Sequence, residues 1–241
     1  MAPYIYGVYN GAHVIDLNKS VILLERAAAY LASVASKDGK ILFVGTKPVA
    51  REALKEAAKS CDMPYVSHHW PGGLLTNYKT LRASVKRLYQ LRILLAKGGQ
   101  NFKKRERLQL EIQKERLERA IGGIENMGGL PDAIFIIDIG YEKIALSEAK
   151  KLMIPVVGVV DTNNDPSQTN YPITGNDESL RAIKLYLKII TTAISKARSA
   201  SGVFRQQRNS ASIQVKNFTK KGDWKRPEKS DNSTHPNGSG D

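Results

Sequence analysis

Three groups of residues in this chain have types and spacing that could do chemistry. The first is the run His68, His69, Trp70, Pro71, Gly72, Gly73, Leu74, Leu75, Thr76 and Asn77, which leads into Lys79, Arg82, Lys86 and Arg87. Gly72 and Gly73 remove side chains where a backbone can come close to a phosphate. Thr76 and Asn77 put hydrogen-bonding groups at the opening of a helix, where unpaired N–H groups and the helix dipole favour an anion. His68, His69 and Trp70 supply flat faces for stacking or packing, and Trp70 taken singly suits a place at least partly in the core. Lys79, Arg82 and Lys86 recur at steps of three and four, so they share one helical face. The chemistry these residues suit is the grip of a polyanion. With no aromatic platform of the single-strand-reading kind, recognition by shape and backbone is expected rather than reading of bases.

The second group is Thr46 with Lys47, Asp138, and Asp161 with Asn163 and Asn164, each set just after an apolar run ("ILFVG", "AIFII", "PVVGVV"). If those runs are parallel strands, their carboxyl ends are where such sheets bind ligands, and the two aspartates could form a metal or acid/base pair. They could equally cap the helices and loops that follow. "VGTKPVA" has neither glycine-rich phosphate-loop pattern, and no nucleophile elbow or triad is visible. The third group is His13, His68, His69 and Cys61. Adjacent histidines on an extended segment point to opposite faces, and no zinc-ligand spacing exists, so neither a metal nor another cofactor is expected. Cys61 is the only thiol. It cannot form an internal disulfide, fits a reducing compartment, and suits a packed helix end better than a nucleophile.

The elements that must position these groups follow from apolar periodicity. "AHVIDL" (12–17) alternates as a short strand, and Ser or Asn near 18–20 opens a helix to about Ser36. "ILFVG" (41–45) is a buried strand. Pro48 suits the first turn of the next helix, "PVAREALKEAAKS". "PYVS", "AIFIID", a helix from about Glu142 to Leu152, and "PVVGVV" continue the alternation. A last helix follows over 176–197, with an asparagine cap. This rhythm predicts an α/β fold: a doubly wound, flavodoxin- or Rossmann-like parallel sheet covered on both faces. Residues 74–122 interrupt it. Leu81, Val85, Leu88 and Leu95, then Leu110, Leu117, Ile121 and Ile124, mark two amphipathic helices around "KGGQN", an antiparallel, coiled-coil-like hairpin. The expected division is 1–73 with 123–199 as the sheet domain, 74–122 as the inserted hairpin, and 200–241 as a disordered basic tail.

Charge follows the same division. Of a net charge of +14 over 241 residues, segment 79–119 holds 13 Lys/Arg against 4 Asp/Glu, including Lys103, Lys104 and Arg105. Segment 196–241 holds 10 Lys/Arg against 4 Asp/Glu, so the rest is close to neutral. Two basic arms on a neutral body suggest a polyanionic partner. No apolar run approaches membrane-spanning length, no signal peptide is visible, and no membrane partner is expected.

From about residue 3 to 200 the chain resembles the small-subunit ribosomal protein S2 (uS2) family, of bacterial or organellar type. The resemblance rests on "YIYGVYNGAHVIDLNKS", "GKILFVGTK", "HHWPGGLLTNYKTLRASVKRL", "GGIENMGGLPDAIFIID" and "IPVVGVVDTNNDP…YPITGNDES", in the family's order. It implies a parallel-sheet domain with a helical hairpin and no catalysis. It also implies a place on the back of the small subunit, between head and body, contacts to small-subunit rRNA and neighbouring ribosomal proteins, and, in bacteria, help in recruiting ribosomal protein S1. The location implied is the ribosome of the bacterial cytoplasm, or of a mitochondrion or plastid. The family's motif falls on His68, Trp70, Gly72, Gly73, Leu75, Thr76 and Asn77, and its basic helix on Lys79, Arg82, Lys86 and Arg87. Pro71 stands where the family usually has Leu, and His69 where it has Arg, which should reshape the turn or weaken a phosphate contact. The family's "HFGH" and "WNPKM" blocks would precede "MAPYIYG", so contacts from that segment are not carried over.

Overall fold

The computed structural model describes residues 1–96 and 103–202. The expected Gly-Gly turn at 97–101 and the basic tail from 203 onward lie outside those residues. Asn10 and Gly11, at φ of 48° and 80°, reverse the chain between Ile5–Tyr9 (β1) and Ala12–Ile15 (β2). An Asn-Gly pair is the strongest short-range hairpin signal because both residues tolerate positive φ. The two strands pair antiparallel in a sheet of their own. Only the second was expected from sequence, since β1 lacks a clean alternation. Asp16, rather than Ser or Asn at 18–20, then caps Leu17–Ser36 (α1), its carboxylate accepting from the Asn18 N–H at 3.1 Å.

The central sheet is built from Ile41–Val44 (β3), Tyr65–Val66 (β4), Ala133–Ile137 (β5), Val156–Val160 (β6) and Tyr171–Thr174 (β7). All neighbours are parallel, in the order β4-β3-β5-β6-β7. Counted within this sheet, that is the flavodoxin-like order 2-1-3-4-5, with its switch point between β3 and β5. β7 was missed from sequence because Pro172 argues against a strand. It is tolerated because β7 is an edge strand, paired on one side only.

Alternate residues of the fully buried strands face two separate cores. Ile41, Phe43, Phe135, Ile137, Val157 and Val159 pack with α1, with Arg51–Ser60 (α2) and with Leu180–Ala200 (α6). Leu42, Val44, Ile134, Ile136, Val156 and Val160 pack with Lys143–Lys151 (α5) and with the start of the inserted helices. Burial on both faces explains why these strands are continuous apolar runs. α2 begins three residues later than Pro48 suggested, because residues 47–50 form a turn closed by Ala50 N–H to Lys47 O at 2.9 Å. Asn176 is not the cap of α6; it accepts from the N–H groups of Glu178 and Ser179, and Ser179 stands at the cap position.

The inserted helices are Tyr78–Ala96 (α3) and Lys104–Ile121 (α4). Leu81 and Leu88 are buried and belong to the same apolar cluster as the sheet's second face, with Val85 and Leu117 packed against it. Leu91, absent from the sequence-read stripe, is also buried. Arg92 ties α3 to Glu118 (2.9 Å) and to Glu125 (2.7 Å), and Arg87 reaches Gln113 (3.3 Å). The pair is thus docked against the sheet at its base as well as on itself.

Candidate nucleic-acid interface

Between β4 and α3 the chain runs through the turn of residues 67–77, and one side chain from another element organises it. Glu148, on the inward face of α5, is buried at 6% exposure. Its Oε1 accepts from Trp70 Nε1 (3.1 Å) and from the Gly73 N–H (2.7 Å). Its Oε2 accepts from the N–H groups of Leu75 (3.0 Å) and Thr76 (3.1 Å) and from the Thr76 hydroxyl (3.2 Å). Burial opposes the charge, but the bonds from Trp70, Thr76, Gly73 and Leu75 outweigh it and hold Glu148 below the usual glutamate range. Gly73 is needed here because its φ is +82° and an added Cβ would lie 3.3 Å from Asn77 Cβ.

The turn that leads into α3 therefore does hold an anion, but the anion is internal. The N–H groups of Gly73, Leu75 and Thr76 are spent on Glu148. Trp70, expected to lie at least partly in the core, is buried at 4% exposure with its indole N–H on the same carboxylate. It is a core anchor of the turn and cannot stack on a base. His68 is half-buried, bonded through Nδ1 to Ser67 Oγ at 3.1 Å. Burial, then Arg51 and Lys55, keep its pKa below the ordinary histidine range. His69 and Gly72 are exposed. Asn77 is exposed and accepts from the Thr80 hydroxyl at 2.9 Å, closing the first turn of α3.

Beyond that turn the cations come free. The side chains of Lys79, Arg82 and Lys86 are exposed and make no ion pair or hydrogen bond among the described residues, in contrast to Arg92, Arg107 and Arg119, which pair with glutamates. They lie opposite the buried stripe of Leu81, Leu88 and Leu91. Arg87 is exposed but leans on Gln113. Lys103, Lys104 and Arg105 form an exposed basic start to α4, where the Lys103 N–H donates to Glu106 at 3.1 Å. The observed geometry brings His69, Gly72, Asn77 and the α3 cations to the surface and takes Trp70 and the turn's N–H groups out of play. Glu148 was missed in sequence. Its one signal is an acid on the apolar stripe of a short helix, beside Ala145, Leu146 and Ala149.

The rival group at the sheet's carboxyl end is also drawn together, but around an internal cation. Lys47 Nζ lies 3.1 Å from Asp138 Oδ2 and 2.9 Å from Asp177 Oδ1, spanning the switch point between β3 and β5. Burial alone would lower its pKa, but the bonds to Asp177 and Asp138 push it up to about 12. Asp138, at φ +62°, accepts from the N–H groups of Gly140 and Tyr141. Asp161 accepts from the Thr162 N–H, and the Thr46 N–H is taken by buried Glu142 at 2.5 Å. The two aspartates and Thr46 are thus engaged in capping and pairing. Among the described residues, no cluster of three or more His, Cys, Asp or Glu could hold a metal ion, and no helix is long and apolar enough to cross a membrane. Cys61 sits at the C-terminal end of α2, where burial pushes its thiol up to about 12.

The family model "Ribosomal protein S2" matches residues 1–197. The small ribosomal subunit protein uS2 of Shewanella amazonensis is 51% identical over 199 residues, 82% of each chain. That of Tolumonas auensis is 48% identical over 210 residues, 87% of each chain. That of Acidiphilium cryptum is 48% identical over 200 residues, covering 83% of this chain and 78% of the other. A family match running from the N-terminal ribbon into the last turn of α6, together with relatives this similar over most of their length, means that the chain belongs to the ribosomal protein S2 family.

Proposed function

We propose that this chain is a structural, non-enzymatic component of the small ribosomal subunit, acting in the cytoplasm, and that it binds rRNA through the exposed face of α3. The observation that carries the reading is the row Lys79, Arg82 and Lys86, uncompensated by any acid among the described residues and anchored at its base by the Glu148 clasp. Such cations replace the counterions condensed on rRNA phosphates, so binding should weaken steeply with salt. Lys103, Lys104 and Arg105 extend the basic surface on α4, and His69, Gly72 and Asn77 supply contacts beside the turn. In this reading residues 74–122 form the inserted RNA-binding helical module and 1–73 with 123–199 the sheet domain that positions it. The other small-subunit proteins, S1 among them, are its protein neighbours.

The test is sucrose-gradient sedimentation of lysate from cells carrying either the wild-type chain or the Arg82→Glu/Lys86→Glu variant. The wild-type chain should comigrate with small subunits at moderate salt. The variant should stay near the top while melting at the wild-type temperature, since both side chains are exposed. Normal incorporation of the variant would overturn the role given to α3.

A further inference from the structure

α6 carries a second uncompensated row of cations, on the other layer of the sheet. Its inward face, Ile183, Leu187, Ile190 and Ile194, is buried against α1 and α2. The opposite stripe runs through Arg181, Lys184, Lys188 and Lys196, all exposed, with Thr192 and Ser199 in the same row. At 1.5 Å per residue the row is about 22 Å long. The helix contains no Asp or Glu, and the four cations make no ion pair or side-chain hydrogen bond among the described residues. A merely solvated helix face usually mixes signs, as α2 does with its Lys55–Glu52 pair. The sequence after α6 continues the bias, with 8 Lys/Arg against 4 Asp/Glu in residues 203–241.

We infer that the outward face of α6 is a second RNA-backbone surface, separated from the α3 row by the thickness of the sheet. The inference rests on the reading of the chain as an rRNA binder. The hydroxyls favour RNA over an acidic protein. Thr192 Oγ1 donates to Lys188 O at 2.6 Å and Ser199 Oγ to Ser195 O at 2.8 Å, so each turns acceptor lone pairs outward. Acceptors between cations suit ribose 2′-hydroxyl donors between phosphates, whereas acidic side chains offer no such donor.

The test uses the full chain and a labelled 16-base-pair RNA duplex, with Kd measured at 50 and 200 mM salt for three proteins: wild type, Lys184→Gln/Lys188→Gln/Lys196→Gln, and Lys79→Gln/Arg82→Gln/Lys86→Gln. Each phosphate contact makes the fourfold salt step cost about 3.5-fold in affinity, so losing three contacts should shrink the salt effect by about 40-fold. The α6 variant should show that loss, melt like wild type, and still bind through α3. An α6 variant with the wild-type salt effect, alongside a weakened α3 variant, would overturn this inference alone. If neither variant changes the wild-type salt effect, the rRNA-binding reading falls with it. Equal competition by polyglutamate and by unlabelled duplex for the α6-dependent binding would also overturn it, marking the face as an acidic-protein site.

Discussion

Glu148→Gln isolates the clasp at the base of α3. The amide keeps the size of the carboxylate but converts one acceptor oxygen into a donor. In the less costly orientation the NH2 takes the Oε1 side, and the bonds from Trp70 Nε1 and the Gly73 N–H are lost. Each is a hydrogen bond to a charged acceptor at a site 6% exposed, worth about 1.5–3 kcal/mol. The three bonds on the other oxygen survive but lose their charge assistance. A loss of about 3–5 kcal/mol follows, a large share of the about 5–15 kcal/mol that holds a domain folded. Denaturant unfolding followed by circular dichroism reads the total. Amide hydrogen exchange reads the place, with Gly73, Leu75 and Thr76 expected to exchange faster while the β5 amides fall only to the new global limit. The same stabilisation is linked to pH in the wild-type chain. Because the folded pKa lies below the unfolded one, it is fully present above the unfolded value near 4.5 and is lost as pH falls through the folded value. The reasoning would be refuted by a loss under about 1 kcal/mol with those three amides exchanging as before. Tighter duplex-RNA binding by the variant would be equally damaging, since it would mean that the turn's N–H groups serve phosphate and that Glu148 competes with it.

Two further substitutions test the packing around the site. Lys47→Met leaves the Asp138 and Asp177 side chains, 12% and 4% exposed, facing each other without their cation. The variant should be less stable by about 3 kcal/mol at pH 7. Burial already raises the Asp177 pKa, so the deficit measured by denaturant titration should shrink as acidification protonates Asp177. Gly123→Ala puts a Cβ within 2.2 Å of Tyr65 O and 2.8 Å of its ring, at the edge of β4. It should cost about 1–3 kcal/mol in thermal or denaturant unfolding, because Tyr65 N–H to Gly123 O is the bond that covers this sheet edge.

The parts of this fold written in local periodicity were legible in the sequence. β3, β5 and β6 are apolar runs between turn residues, and α5 and the body of α6 carry clean inward stripes. What escaped depends on partners distant in the chain. β7 contains Pro172, acceptable only at an edge, and edge status is a property of the whole sheet. Glu148 lies 72 to 78 residues from the groups it binds, so no spacing rule connects them. The same separation misled the reading of the turn's N–H groups: the residue types suited an external anion, and the chain supplies its own. The α3 cations were legible because both their face and their lack of acidic neighbours are set within one helix. The α6 row is equally local, yet it was passed over in favour of the charge total of the tail.

The Lys47 bridge at the switch point has a further implication for how this protein behaves in a living cell. Sheets of this order commonly present that crevice to soluble ligands, whose occupancy rises and falls with supply. Here the occupant is covalently attached, so its effective concentration is set by a four-carbon tether and never by metabolism. The two halves of the sheet, already joined by the β3–β5 ladder, are bridged at their carboxyl ends by residues of the chain itself. The scaffold under the basic helices thus carries its own brace, supplied by the same chain that it supports.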